Sequence, residues 1–201
     1  MAIMPGSQSS ISTSSRYAGG QSLQALRMVA VCVSSVILAM GLTWILQRLF
    51  GKPNVDHEGL YFPPAFAFST LILFSGSASL SKALSHVKRE QQKPFRKWLL
   101  ASLVLGSLFI GVQCYALWSL FPTERTYESA SVGVTAFVLC LATLHAIHFF
   151  VATMFLSLIV IRSWSDRYDH EYFWGVRACF WFWHFLGVVW IAILAVIAIA
   201  I

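Results

Sequence analysis

The chain has 201 residues, of which 58% are hydrophobic and 11% charged, and its mean hydropathy is +0.71. That balance excludes an ordinary soluble domain and indicates a polytopic membrane protein. The net charge of +6 does not indicate a nucleic-acid partner, because the basic residues gather between apolar runs instead of interleaving along one element.

The first 22 residues are rich in Ser, Gly and Gln, with little aliphatic content. Such a segment cannot bury enough surface to order itself, so residues 1–24 read as a disordered tail. It lacks the basic start and short apolar core of a signal peptide. Residues 25–201 are expected to be all-α, a bundle of five transmembrane helices. The apolar runs fall at about 26–46, 60–80, 98–121, 131–161 and 178–201. About 20 residues cross the hydrocarbon core, so every run qualifies. The fourth is long enough to tilt or to project beyond the bilayer.

The connectors carry the orientation. The tail holds Arg16, with Arg27 at the first membrane boundary. The second connector, KALSHVKREQQKPFRK, holds Lys82, Lys88, Arg89, Lys93, Arg96 and Lys97, and the fourth holds Arg167 between Arg162 and Arg177. The other two hold only Arg48 and Lys52, then Arg125. Basic residues favour the cytoplasmic side, which places the N-terminus inside and the C-terminus outside the cell (inner) membrane. The His57-Glu58-Gly59 segment of the first connector lacks the second histidine of a zinc-protease helix and reads as a solvated loop.

Apart from Arg27 at the first boundary, the apolar runs contain no Asp, Glu, Lys or Arg, so this chain alone is not expected to pump protons. Their titratable groups include His145, His148 and His184. Because His145 and His148 lie three residues apart, a helix is expected to turn both toward one interior face. Two readings of the histidines stand side by side. The first is haem or copper ligation, in which His184 with His145 or His148 supplies axial ligands to a haem from two helices. Alternatively, each histidine hydrogen-bonds a hydroxyl or backbone group across a helix interface. The cysteines Cys32, Cys114, Cys140 and Cys179 form no CxxC pair and read as small buried hydrophobes. Ser75 to Ser79, SGSAS, reads as a close-packing face, and Gly106 and Gly111 as similar contacts in the third span. Gln113 reads as a buried polar partner. The FWFWHF run at 180–185 reads as an interfacial aromatic anchor, while Trp183 within it joins His145, His148, His184 and Gln113 as an interior polar or packing candidate.

The same residues carry a resemblance. LHAIHF in the fourth span resembles the GFHGLHV segment of cytochrome c oxidase subunit III, and FWFWHFLGVVW in the fifth resembles that family's YWHFVDVVW. Ser69 to Ser79 resembles its small-residue helix, followed by a basic connector, and Gly111-Val112-Gln113 resembles its GxQ segment. The match runs from about Leu26 to the C-terminus, in register, and the five spans resemble the short bacterial form. The resemblance implies an accessory subunit of a haem-copper oxidase in aerobic electron transport. It implies no catalytic, cofactor or metal site on this chain, with haem and copper on a catalytic partner subunit. It further implies packing on that subunit, support of its proton uptake and stability, and phospholipid bound in a cleft between helix groups.

The chain departs from the family pattern at its acids. Ala116 stands where QxxE has Glu, Arg177 where a Glu precedes YWHF, and Gly187 where HFVD has Asp. Ala142-Thr143 replaces a Thr-Gly, and the first span lacks the carboxylate of the corresponding family helix. With those acids absent, His145, His148 and His184 are expected to be neutral and bonded to hydroxyls or to each other, since an unpaired buried charge costs several kcal/mol. A free-standing haem or quinone protein and a divergent membrane scaffold are the alternative functions.

Overall fold

The computed structural model describes residues 9–51, 64–120, 132–164 and 174–200. All of the regular structure there is helical: α1 (Ser9–Phe50), α2 (Pro64–Lys88), α3 (Gln92–Leu120), α4 (Val132–Ser163) and α5 (Trp174–Ala200). Each contains a stretch long and apolar enough to cross a membrane, as the five apolar runs predict. The His57–Gly59 segment, Arg125 and Arg167 lie outside the described residues.

Helix ends differ from the apolar runs for a physical reason. Apolarity stops at the membrane boundary, but helix propagation costs little once a turn exists. Thus α1 begins at Ser9, within the expected tail, while its membrane-length part begins at Leu26. The expected long basic connector between the second and third spans is mostly helix, with only residues 89–91 between α2 and α3. Its basic side chains therefore sit on helix ends. α2 stops where Glu90 takes φ 59°, with Glu90 N–H donating to the Val87 carbonyl at 3.2 Å and Gln91 N–H to the His86 carbonyl at 3.0 Å. That pair of bonds is the Schellman C-cap. At the end of α1, Gly51 adopts φ 61° and donates to the Gln47 carbonyl at 3.1 Å.

α3 is the centre of the bundle. It packs on α1, α2 and α4, while α5 packs on α4 and α2, and α1 also touches α4. Within lipid no hydrophobic force drives helices together, so close approach and interhelical hydrogen bonds must do it. The α1–α3 seam uses both. Ser35, Ala39 and Thr43 recur every fourth residue on α1 and face Ser107 and Gly111 of α3. Ser35 and Ser107 hydroxyls are 2.5 Å apart, and Thr43 Oγ1 donates to the Gly111 carbonyl at 2.9 Å. A Cβ on Gly111 would lie 2.7 Å from the Ala39 carbonyl oxygen, so only glycine allows this approach. Between α2 and α3, Ser79 Oγ donates to the Trp98 carbonyl at 2.9 Å, and Lys82 Nζ lies 4.3 Å from the Trp98 ring centroid.

The expected SGSAS face is only partly a packing face. Gly76 and Ser79 are buried, whereas Ser75 and Ala78 point outward. The cysteine expectation also needs correction: only Cys179 is buried, Cys32 is half-buried, and Cys114 and Cys140 are exposed on the outside of the bundle. In a bilayer an outward thiol meets hydrocarbon as readily as a buried one, so composition could not separate the two cases.

Candidate functional site

An aromatic hub lies where α2, α3, α4 and α5 converge. Trp190 of α5 tilts against Phe66 of α2 at 6.0 Å and meets Phe109 of α3 edge-on at 5.9 Å. Phe149 of α4 lies 4.7 Å from Phe109 and 4.9 Å from Trp183. Such contacts add about 0.5–1.5 kcal/mol each beyond simple burial. Trp190 Nε1–H donates to Thr70 Oγ1 of α2 at 3.2 Å, which fixes its ring. Trp183 is fully buried and reaches between α2 and α3. A Cβ on Gly106 would come within 2.7 Å of its Cη2, and one on Gly76 within 3.4 Å of its Cζ2. Trp183 is thus a core wedge within the aromatic run. Within the same run, Trp181 and Phe185 are the exposed aromatics.

His145 belongs to this hub. It is 6% exposed and stacks on Trp190, with centroids 5.6 Å apart and planes 24° apart. His148 does not join it. About 100° per residue leaves positions three apart offset by roughly 60°, enough here to bury one imidazole and turn the other outward. His148 is exposed, its Nδ1 2.8 Å from the Leu144 carbonyl of its own helix. His184 is half-buried, its Nδ1 2.8 Å from the Phe180 carbonyl one turn back. The expected bonds to hydroxyls or between histidines are therefore not made. Two rings use their own backbone, and neither nitrogen of His145 has a hydrogen-bond partner.

Gln113 is 7% exposed, and its partner is Ser69 of α2, whose Oγ lies 3.1 Å from Oε1. The Ser69 hydroxyl carries one proton and also lies 2.9 Å from the Phe66 carbonyl. Gln113 Nε2 has no partner. His145 and Gln113 line one cavity of about 320 Å³ between α3 and α4, with Trp190 of α5 at its base. Its lining includes outward-facing Thr143, Ala146, Ile147 and Phe150, so it opens sideways toward the surroundings of the bundle. A groove of about 420 Å³ between α1, α3 and α4 adjoins it, sharing Ile110, Cys114 and Phe150.

Of the residues singled out from sequence, the structure brings His145, Gln113 and Trp183 into one region and leaves His148 and His184 outside it. Among the described residues, no group of three or more His, Cys, Asp and Glu is placed to hold a metal ion. The hub members Phe109, Phe149 and Trp190 were not foreseen. Each lies in a run too uniformly apolar for periodicity to mark an inner face.

The sequence model of the family described as cytochrome c oxidase subunit III matches residues 62–199, from the start of α2 almost to the end of α5. Among curated proteins, the cytochrome c oxidase subunit 3 of Spodoptera frugiperda is 28% identical over 124 residues, 61% of this chain and 80% of that protein. That of Branchiostoma lanceolatum is 27% identical over 175 residues, 82% of this chain and 64% of its own length. The Arabidopsis thaliana protein is 27% identical over 169 residues, 79% of this chain and 62% of its own length. The chain thus spans slightly less than two thirds of the length of the latter two relatives.

Proposed function

The chain belongs to the cytochrome c oxidase subunit III family, and from that premise we propose that it is a non-catalytic accessory subunit of a haem-copper oxidase in aerobic electron transport. It is a multi-pass membrane protein. Its partners in this reading are the catalytic subunit, which carries the haem and copper, and phospholipid. Its place is the cell (inner or plasma) membrane, N-terminus and basic α2–α3 turn on the cytoplasmic side and C-terminus outside. The observation that carries the reading is the continuous match over α2 to α5, which includes both the His145/His148 pair and the Trp183-His184-Phe185 segment.

In this role the chain works by shape and not by chemistry. Interhelical bonds at Ser35–Ser107, Thr43–Gly111, Ser79–Trp98 and Trp190–Thr70 hold the scaffold rigid. Its outer faces remain apolar, with Leu71 and Phe74 on α2 and Phe185 and Val188 on α5 exposed. Such faces suit a second membrane protein as well as lipid. By covering the catalytic subunit the chain stabilises it during turnover and maintains the surroundings of its proton entry. It does so without the family acids, whose positions are Ala116, Arg177 and Gly187.

Those replacements favour a second reading, a divergent paralogue that has kept the scaffold and serves another membrane partner. Purification of the full chain in mild detergent, with identification of what accompanies it, decides between them. The first reading expects a large many-span subunit with haem absorbance. A haem-free partner, or none, sinks it in favour of the second.

A further inference from the structure

His148 is exposed on the outside of α4, and it lies deep in the bilayer. The membrane-length part of α4 is Cys140–Ser163, so His148 stands eight residues from one end and fifteen from the other. At 1.5 Å per residue those distances are about 12 and 22 Å, well inside a ~30 Å hydrocarbon core. An ionisable side chain at such depth ordinarily faces the interior of its bundle or meets a partner. His145 faces the interior. His148, about 60° further round the helix, does not. Its Nδ1 lies 2.8 Å from the Leu144 carbonyl. A carbonyl oxygen only accepts, so the single proton of the neutral ring is on Nδ1, and Nε2 is a bare acceptor. That nitrogen is the negative end of the ring dipole. It needs the positive hydrogen of a donor, and the N–H groups of α4 are committed to their own ladder.

Few things supply a donor at that depth. Acyl chains carry none, and lipid ester oxygens only accept. The N–H and O–H groups of lipid headgroups stay at the surface, and bulk water is excluded from the hydrocarbon. A membrane-spanning helix brings a donor there on a Ser, Thr, Tyr, Trp, Asn or Gln side chain. The surroundings of His148 fit such a helix. Phe137, Leu141, Leu144, His148, Val151 and Phe155 follow one another at spacings of 4, 3, 4, 3 and 4 residues, the repeat of a helix-packing seam. Phe137, Leu144 and Val151 are each more than half exposed. Leu141 and Phe155 are half-buried against the core and form the edge of the stripe. Because α4 is apolar on every side, spacing alone selects no stripe; the imidazole selects this one.

We propose that this stripe of α4 is the face on which the many-span partner subunit docks, with a transmembrane helix of that subunit lying along it and donating a side-chain N–H or O–H to His148 Nε2. Burial of the stripe gives the bare acceptor its donor and removes the imidazole from hydrocarbon. The bond also fixes register, since the donor must lie about 12 Å below the membrane surface at which α4 begins. His184 makes the same kind of backbone bond, but it is half-buried and its ring tilts against Phe180 at 4.1 Å, so its own bundle already covers part of it. The proposal adds a face and a register to the partnership proposed above and rests on that reading.

The test uses the full chain purified in mild detergent with the subunit that accompanies it. A photoreactive benzoylphenylalanine replaces Leu144, on the stripe, or Ala146, which is exposed about 200° round the helix from both Leu144 and His148. The partner should cross-link from position 144 and not from 146. Separately, the rate at which the partner dissociates is measured for the wild type, His148→Leu and His148→Gln. Leucine removes the acceptor from an outward position, so the chain itself should fold as before, which circular dichroism checks. Its complex should dissociate roughly fivefold faster, the effect of losing one hydrogen bond of ordinary net strength. Glutamine keeps an acceptor oxygen and should restore most of the wild-type rate. A cross-link from 146 alone, or one from 144 only to lipid, a quinone or a second copy of this chain, overturns the docking face while the retained partner leaves the accessory-subunit reading standing. Equal dissociation rates for the wild type and His148→Leu, or equal acceleration by leucine and glutamine, overturn the hydrogen bond. A wild type that retains no membrane subunit overturns both the face and the reading it rests on.

Discussion

Gly106 offers the sharpest test of the packing account. A Cβ there would lie 2.7 Å from Trp183 Cη2, with two further ring atoms at 3.5 and 3.7 Å. Carbon atoms prefer about 3.5–4.0 Å, so Gly106→Ala requires a shift of roughly 1 Å. Trp183 has little room to make it. Its ring is fully buried, Gly76 of α2 lies against its Cζ2, and Phe149 lies 4.9 Å away on α4. Displacing the wedge means separating α5 from the α2–α3 pair. Overpacking of this kind costs about 1–3 kcal/mol, which the gain of up to about 1 kcal/mol in helix propensity from removing glycine offsets only in part. For a chain of this size about 2 kcal/mol lowers the Tm by roughly 4–8 °C. The assay is thermal unfolding in detergent at one fixed scan rate, read by circular dichroism. Trp183→Phe supplies the control, because it removes the outer ring that the new methyl would strike. Gly106→Ala should then cost less in the Trp183→Phe background than alone, with a coupling of about 1 kcal/mol or more. A neutral Gly106→Ala, or additive effects in that cycle, would refute the wedge.

Gly111→Ala should be more damaging than Gly106→Ala, because the atom it meets is the Ala39 carbonyl oxygen at 2.7 Å and backbone cannot pivot aside. Unfolding midpoints of the two variants check the order. Ser35→Ala should destabilise by about 0.5–1.5 kcal/mol, the range for interhelical bonds in membranes, since it removes the donor to Ser107 Oγ, whose own proton goes to the Leu103 carbonyl. A double-mutant cycle with Ser107→Ala isolates that bond. Trp190→Phe should weaken α2–α5 docking by about 1 kcal/mol through loss of the bond to Thr70 Oγ1, and Thr70→Val should remove most of the same energy. An absorption spectrum of the isolated chain should show no Soret band, and His184→Ala should leave it unchanged.

The sequence specified the elements more fully than their contacts. Five apolar runs gave five helices because length and apolarity suffice to place a span. The basic 82–97 stretch reads from sequence as a connector yet is mostly helix, because polarity ends a membrane span but not a helix; the stop comes from Glu90 in the left-handed region. Gln113 was identifiable as a buried polar group, since an amide in an apolar run must find a partner. That the partner would be Ser69 depended on how α2 and α3 are paired, which spacing does not encode. The two histidines of α4 show the same limit. Three-residue spacing put them near one face, but the boundary between interior and surroundings falls between them, and only the positions of α3 and α5 decide where. In α4 and α5 apolar residues occur on every side of the helix, so no periodic signal distinguished Phe149 or Trp190 from outward-facing Phe150 or Ile191.

The reading as an accessory subunit is tested most directly by stripping the chain from its purified complex. A stronger detergent would release it, the absorption spectrum of each fraction would be recorded, and oxygen consumption of the complex would be followed over time with and without the chain. The account predicts that all haem absorbance stays with the partner and that the stripped complex loses activity faster during turnover. Haem absorbance on this chain, or an unchanged working lifetime of the stripped complex, would contradict it.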